Sequence, residues 1–176
     1  MTSVILKTWT LFFGFAIICL AHGLQGTLLG IRAIVEGFSF VSTGFIVAGY
    51  YVGYLAGSIL IPILLQRVGH IRVFAALASL ASIAILLHTI LLDPFSWFFI
   101  RIITGISLSG IYVIMESWLN DKSTNETRGK ILSIYMIVTF SFVGLGQLLL
   151  NLSDPAKVDL FILVSILLSF SLLPIL

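Results

Sequence analysis

The sequence predicts an all-α membrane protein of six transmembrane helices. Of its 176 residues, 60% are hydrophobic and 9% charged, and the mean hydropathy is +1.21, well outside the range of a soluble globular domain. Apolar runs of roughly 20 residues recur along the chain, each near the length that crosses a hydrocarbon core about 30 Å thick. Short polar stretches separate them.

The runs fall at roughly 8–30, 41–65, 72–92, 96–118, 131–151 and 158–176, within one domain covering 1–176. The first has Lys7 ahead of it, as a secretory signal would, but its apolar stretch of about 23 residues is too long for a signal core and reads as a retained helix. The first connection holds Arg32 and Glu36, and the second holds Gln66, Arg67, His70 and Arg72. The third is little more than Asp93-Pro94, the fourth is NDKSTNETRGK and the fifth SDPAKVD. Lys7, Arg67, Arg72, Lys122, Arg128 and Lys130 fall on one side, and Arg32 and Lys157 on the other. An excess of Lys and Arg marks the cytoplasmic side, so both ends of the chain are expected there.

The second run carries Gly49, Gly53 and Gly57 at strict four-residue spacing, leaving one side of that helix nearly bare for a close neighbour. Gly26 and Gly30 repeat the pattern more weakly, and Gly144 and Gly146 precede Gln147 in the fifth run. A faint echo links the segment from Gly53 with the segment from Val143, as an inverted three-plus-three repeat would require.

The fourth run holds both an arginine and a glutamate. Arg101 and Glu116 lie fifteen positions apart, about 22 Å of helical rise and about 60° of rotation. They share a side, with Gly105, Ser109 and Tyr112 between them, so this stripe must face other helices or water. A charge near the bilayer centre costs roughly 2.5–3.5 kcal/mol, which makes Arg101 a coupling or substrate candidate. Its guanidinium suits an anionic or zwitterionic solute; the alternative is snorkelling to the outer interface. Glu116, near the cytoplasmic end, suits an ion pair with Arg67 or Arg72. His22 reads either as a proton carrier or solute contact, or as an interhelical hydrogen-bonding residue. Gln25 and Gln147 either line a cavity or bond between helices. His88 and Cys19 read as packed core groups. No metal-ligand cluster, nucleophile constellation or phosphate loop is visible, so no metal or cofactor is expected.

Three segments together resemble the major facilitator superfamily. Gln66-Arg67-Val68-Gly69-His70-Ile71-Arg72 is similar to its D-R-x-G-R-R loop, and Arg101-Ile-Ile-Thr-Gly105 to its helix-4 R-x-x-x-G pattern. Glu116-Ser-Trp-Leu-Asn120 with Asn125-Glu-Thr-Arg-Gly-Lys130 resembles a bacterial subgroup whose substrate is generally unassigned. The resemblance implies a secondary active or facilitative transporter, not an enzyme, built from two six-helix halves around a cavity that opens alternately to each side of the inner membrane. It assigns Arg67, Gly69 and Arg72 to a conformational latch with Glu116 as partner, and Arg101 to proton coupling. Gly49, Gly53, Gly57 and Gly105 are packing positions. Gln66 replaces the loop's aspartate and Pro62 its preceding glycine, which shifts weight onto Glu116.

The expected partners are the lipid bilayer, a small solute with co-transported protons, and a C-terminal six-helix half. Six helices are half of the family's twelve, so the sequence is expected to be cut short of that half. Two rival readings stay open: a complete small protein that dimerises through Gly49, Gly53 and Gly57 into a transporter or channel, and a non-transporting membrane scaffold.

Overall fold

A computed structural model describes the backbone of residues 2–175 and the side chains of residues 9–175. The side chain of Lys7, which counts toward the predicted orientation, lies outside the described residues. Six α-helices follow one another: α1 (Thr2–Val35), α2 (Phe40–Val68), α3 (His70–Ile90), α4 (Pro94–Asp121), α5 (Arg128–Leu148) and α6 (Asp159–Phe170). A 3-10 turn, Leu149–Leu152, extends α5. Among the described residues there is no strand.

The ends are set by identifiable caps. Gly37, at φ 73°, turns the chain after α1, and the Phe38 N–H returns to the Ala33 carbonyl at 3.0 Å, a Schellman arrangement that glycine alone enters without strain. Ser39 caps α2 by accepting from the Ser42 N–H at 3.1 Å. Asp93 caps α4 by accepting from the Ser96 N–H at 2.8 Å, with Pro94 opening the first turn. The Ser96 hydroxyl and N–H hold the Asp93 carboxyl below the usual carboxylate range.

Three boundaries differ from the sequence expectation. Arg32 belongs to the last turn of α1, and Gln66 and Arg67 to the end of α2. The second connection shrinks to Gly69 alone, at φ 89° and ψ 160°, a conformation open essentially to glycine. The sixth span, expected over 158–176, is a helix of 12 residues. Among the described residues, five helices are long and apolar enough to cross a membrane, and α6 is shorter. Beyond it the chain continues in hydrogen-bonded turns, Leu172 to Ser169 and Ile175 to Leu172. Pro174 explains this, since it lacks the helical donor and disfavours helix in the residue before it.

The helices pair in a pattern with internal symmetry. The main contacts are α2 with α4 and α1 with α5, α3 with α4 and α1 with α6, and α3 with α6. Exchanging α1–α3 for α4–α6 maps this set onto itself, as the faint sequence echo anticipates. Both halves use glycine at the crossing. A Cβ on Gly53 or Gly105 would strike the facing backbone of α4 or α2, and one on Gly146 or Gly23 that of α1 or α5. Gly26 and Gly30 lie over open space and pack nothing.

α1 and α4 are the most buried of the long helices, and α2 and α5 the least. The core between them holds Phe15, Phe74, Trp97, Leu108, Ile114 and Phe161, all fully buried. His88 belongs to this core, with Nδ1 donating to the Ala84 carbonyl at 2.8 Å and the ring edge-on to Trp97. At the far end of α1, Arg32 donates to Glu36 at 2.7 Å and to the Ala156 carbonyl, tying that helix to the connection before α6.

Candidate functional site

The glycines of α2 and α4 decide where Arg101 sits. Gly49 packs against Phe98, Gly53 against the Ile102 backbone, and Gly57 against Ile106 and Ser109, while Gly105 lies against the α2 backbone at Tyr50, Gly53 and Tyr54. This close approach places Arg101, one turn before Gly105, over the Tyr50 ring with its guanidinium carbon 4.4 Å from the centroid. Arg101 is 8% exposed. It faces inward, and the snorkelling alternative does not describe it. The glycine stripe is covered by α4 from the same chain, so it offers no free surface for dimerisation.

Arg101, His22, Gln25, Gly26, Val47, Tyr50 and Tyr51 line one partly open cavity of about 230 Å³. Three of the four coupling or substrate candidates thus converge from helices α1 and α4 around a wall of α2. Gln147 does not join them, being exposed on α5.

His22 is held by both ring nitrogens. Nδ1 lies 2.9 Å from the Tyr112 hydroxyl and Nε2 lies 3.3 Å from the Tyr50 hydroxyl. The Tyr112 hydroxyl also meets the Cys19 thiol at 4.0 Å. A line of polar groups therefore runs from Arg101 through Tyr50 and His22 to Tyr112, across three helices. Gln25 is different. It is 1% exposed, and neither its Nε2 nor its Oε1 has a hydrogen-bond partner among the described residues. A buried amide left unpaired costs about 1–3 kcal/mol per group, so this side chain is positioned for something that enters the cavity.

The ledger at Arg101 points the same way. A desolvated cation–π contact returns about 2 kcal/mol or more, of the same order as the insertion cost of roughly 2.5–3.5 kcal/mol. The Tyr50 ring offsets desolvation but supplies no counter-charge, and Arg101 has no ion-pair partner among the described residues.

The residues at the α2–α3 junction and the end of α4 behave differently from the sequence expectation. Glu116 is exposed and accepts from the Tyr135 hydroxyl at 3.0 Å, and Arg67 and Arg72 are exposed and form no ion pair with it. The reason is direction: Glu116 shares a cavity with Leu132 of α5, whereas Arg67 and Arg72 flank the α2–α3 junction. His70 links that junction to α4 instead, with Nε2 3.3 Å from the Ser117 hydroxyl and 3.7 Å from the Asp121 carboxylate, its ring tilted against that of Trp118.

Tyr50 and Tyr51 are the wall residues that sequence reading missed. Tyr50 lies three positions before Gly53, so the glycine stripe that packs on α4 also carries it toward Arg101. That spacing was the available signal.

The sequence profile of the Major Facilitator Superfamily matches residues 11–173. The chain is 30% identical over 164 residues to the "Uncharacterized MFS-type transporter YcaD" of Escherichia fergusonii, covering 93% of this chain and 43% of that protein. Proteins of the same name from Escherichia coli O45:K1 and Escherichia coli O81 are 28% identical over 138 residues, covering 78% of this chain and 36% of each relative. The chain therefore spans less than half the length of the curated relatives it matches. No solved structure matches it significantly. With an all-helical bundle that fits half of that fold and a match from end to end, this multi-pass membrane chain belongs to the Major Facilitator Superfamily.

Proposed function

We propose that the chain forms the N-terminal six-helix half of a secondary transporter that moves a small solute across the bacterial inner membrane by alternating access. The observation that carries this reading is the partly open cavity of about 230 Å³ in which a buried arginine, with no ion-pair partner among the described residues, meets an unpartnered glutamine and a histidine. Polar groups at that depth are stable only beside water or a ligand. The family membership and the names of the relatives support transport in general.

In this reading Arg101, His22 and Gln25 contact the solute. The hydrogen bonds from Tyr50 through His22 to Tyr112 support His22 as a proton carrier, with Arg101, stacked on the Tyr50 ring, as the fixed charge that biases it. Arg67, Gly69, Arg72 and Glu116 belong to the cytoplasmic latch, with His70 and Tyr135 as the partners that close it. Both ends of the segment are cytoplasmic. A second six-helix half covers the cavity, and the length of the relatives supports one.

Purified whole gene product should be warmed with a panel of small solutes, because a ligand that binds only the folded state raises the melting temperature by mass action. Solutes that stabilise it are expected to undergo counterflow in liposomes. Binding without exchange in any case would overturn the transport reading.

A further inference from the structure

We infer that the cavity takes a small monocarboxylate that also carries a neutral hydrogen-bonding group such as a hydroxyl. This rests on the transport reading above and names the substrate class of the same site.

The charge at the site comes first. The chain has seven carboxylates, and each is held away from the cavity. Glu36 pairs with Arg32, Asp121 faces His70, Asp93 caps α4 and Glu116 bonds Tyr135. Glu126 accepts from Thr124, Asp154 from the Ala156 N–H and Asp159 from Ser153. The part of the cavity that this chain forms therefore contains one fixed cation and no anion. A guanidinium presents two parallel donors that match a carboxylate edge, so the ligand supplies the missing charge. A phosphomonoester, at about −1.5 to −2 near neutral pH, would bring more charge than one arginine neutralises. An amino acid zwitterion is disfavoured too, because no carboxylate is present to receive its ammonium.

The neutral half of the ligand follows from Gln25. Its amide offers donors and an acceptor, none of them used within the protein. A hydroxyl both donates and accepts, and one placed near the carboxylate completes this amide. Tyr50 occupies one face of the guanidinium, which leaves its edge for the ligand. The volume of about 230 Å³ corresponds to roughly seven or eight water molecules at about 30 Å³ each. That admits a hydroxy acid of a few carbons.

The test uses the whole gene product, with glycolate, lactate, glycerate and 3-hydroxybutyrate as probes and lactamide, alanine, propionate and inorganic phosphate as comparisons. At least one hydroxy acid is expected to raise the melting temperature and to exchange in counterflow, with lactamide and alanine inactive. Arg101→Gln should weaken that binding about tenfold or more, and Gln25→Leu should weaken binding of the hydroxy acid by a larger factor than that of propionate. The comparison of lactate with lactamide on the unaltered protein decides the matter even where a variant fails to fold. Equal binding of lactamide and lactate, or binding of no carboxylate at all, overturns the assignment. The second result is the one expected if a carboxylate elsewhere in the gene product already neutralises Arg101. Counterflow of a neutral or cationic solute, unchanged by Arg101→Gln, overturns the carboxylate class and leaves transport standing. Arg101-dependent carboxylate binding without exchange leaves the class standing and overturns transport.

Discussion

Arg101→Met should abolish transport by the whole gene product while leaving the bundle as stable as before, or more so. Most buried charges are destabilising to remove because a partner is left alone. Arg101 leaves none, since its contact within the chain is the ring of Tyr50 at 4.4 Å. Methionine keeps packing on that ring and sheds an insertion cost of roughly 2.5–3.5 kcal/mol. The melting temperature of the purified variant without ligand is expected to match or exceed that of the parent, with counterflow reduced to background. A destabilised variant would mean that the guanidinium holds the helices together, and a transporting one that the cavity does not bind solute through it. Stability given up at one residue for binding is the pattern expected of a functional site.

Gly53→Leu should have the largest effect on folding. The first side-chain carbon would land on the carbonyl of Ile102, and backbone cannot swing away as a side-chain tip can. α2 and α4 would have to separate along their length, undoing the contacts of Gly49, Gly57 and Gly105 together. Overpacking of well-packed interiors costs about 1–3 kcal/mol and more where nothing yields, so a loss of about 3 kcal/mol or more is expected, read as a fall in melting temperature or as aggregation on extraction. Gly30→Ala is the matched control. Its added carbon meets nothing within 4 Å, and alanine is the better helix former by about 1 kcal/mol. Equal behaviour of the two variants would show that the glycine stripe does not set the α2–α4 distance.

The helices themselves were legible because apolar length is a strong signal, and so was the glycine interlock, because period four puts small residues on one side. Arg101, His22 and Gln25 stood out as polar groups in apolar runs, and they meet in one cavity. The partner of Glu116 was not legible. Choosing between Arg67, Arg72 and Tyr135 depends on how α4 is rotated relative to α5, and spacing within one helix carries no information about that rotation. Gln147 stood out for the same reason as Gln25, yet it faces outward. The two glutamines differ in which neighbour their helix meets, α2 and α4 around Gln25 but only open surface at Gln147. The shortness of α6 turned on Pro174, whose effect on an apolar run is visible but easily outweighed by hydropathy.

Alternating access is most directly tested at Gly26, which lines the cavity and has room for a side chain. Within this chain the one cysteine, Cys19, is buried, so Gly26→Cys, made in a whole gene product whose cysteines outside this chain have been replaced by serine, gives a nearly silent background for a membrane-impermeant maleimide. Labelling is expected from one face of the membrane at a time, with Glu116→Gln shifting the balance between faces. Labelling from both faces at equal rates, insensitive to Glu116→Gln and to every solute that binds, would contradict a gated cavity and with it the transporter reading.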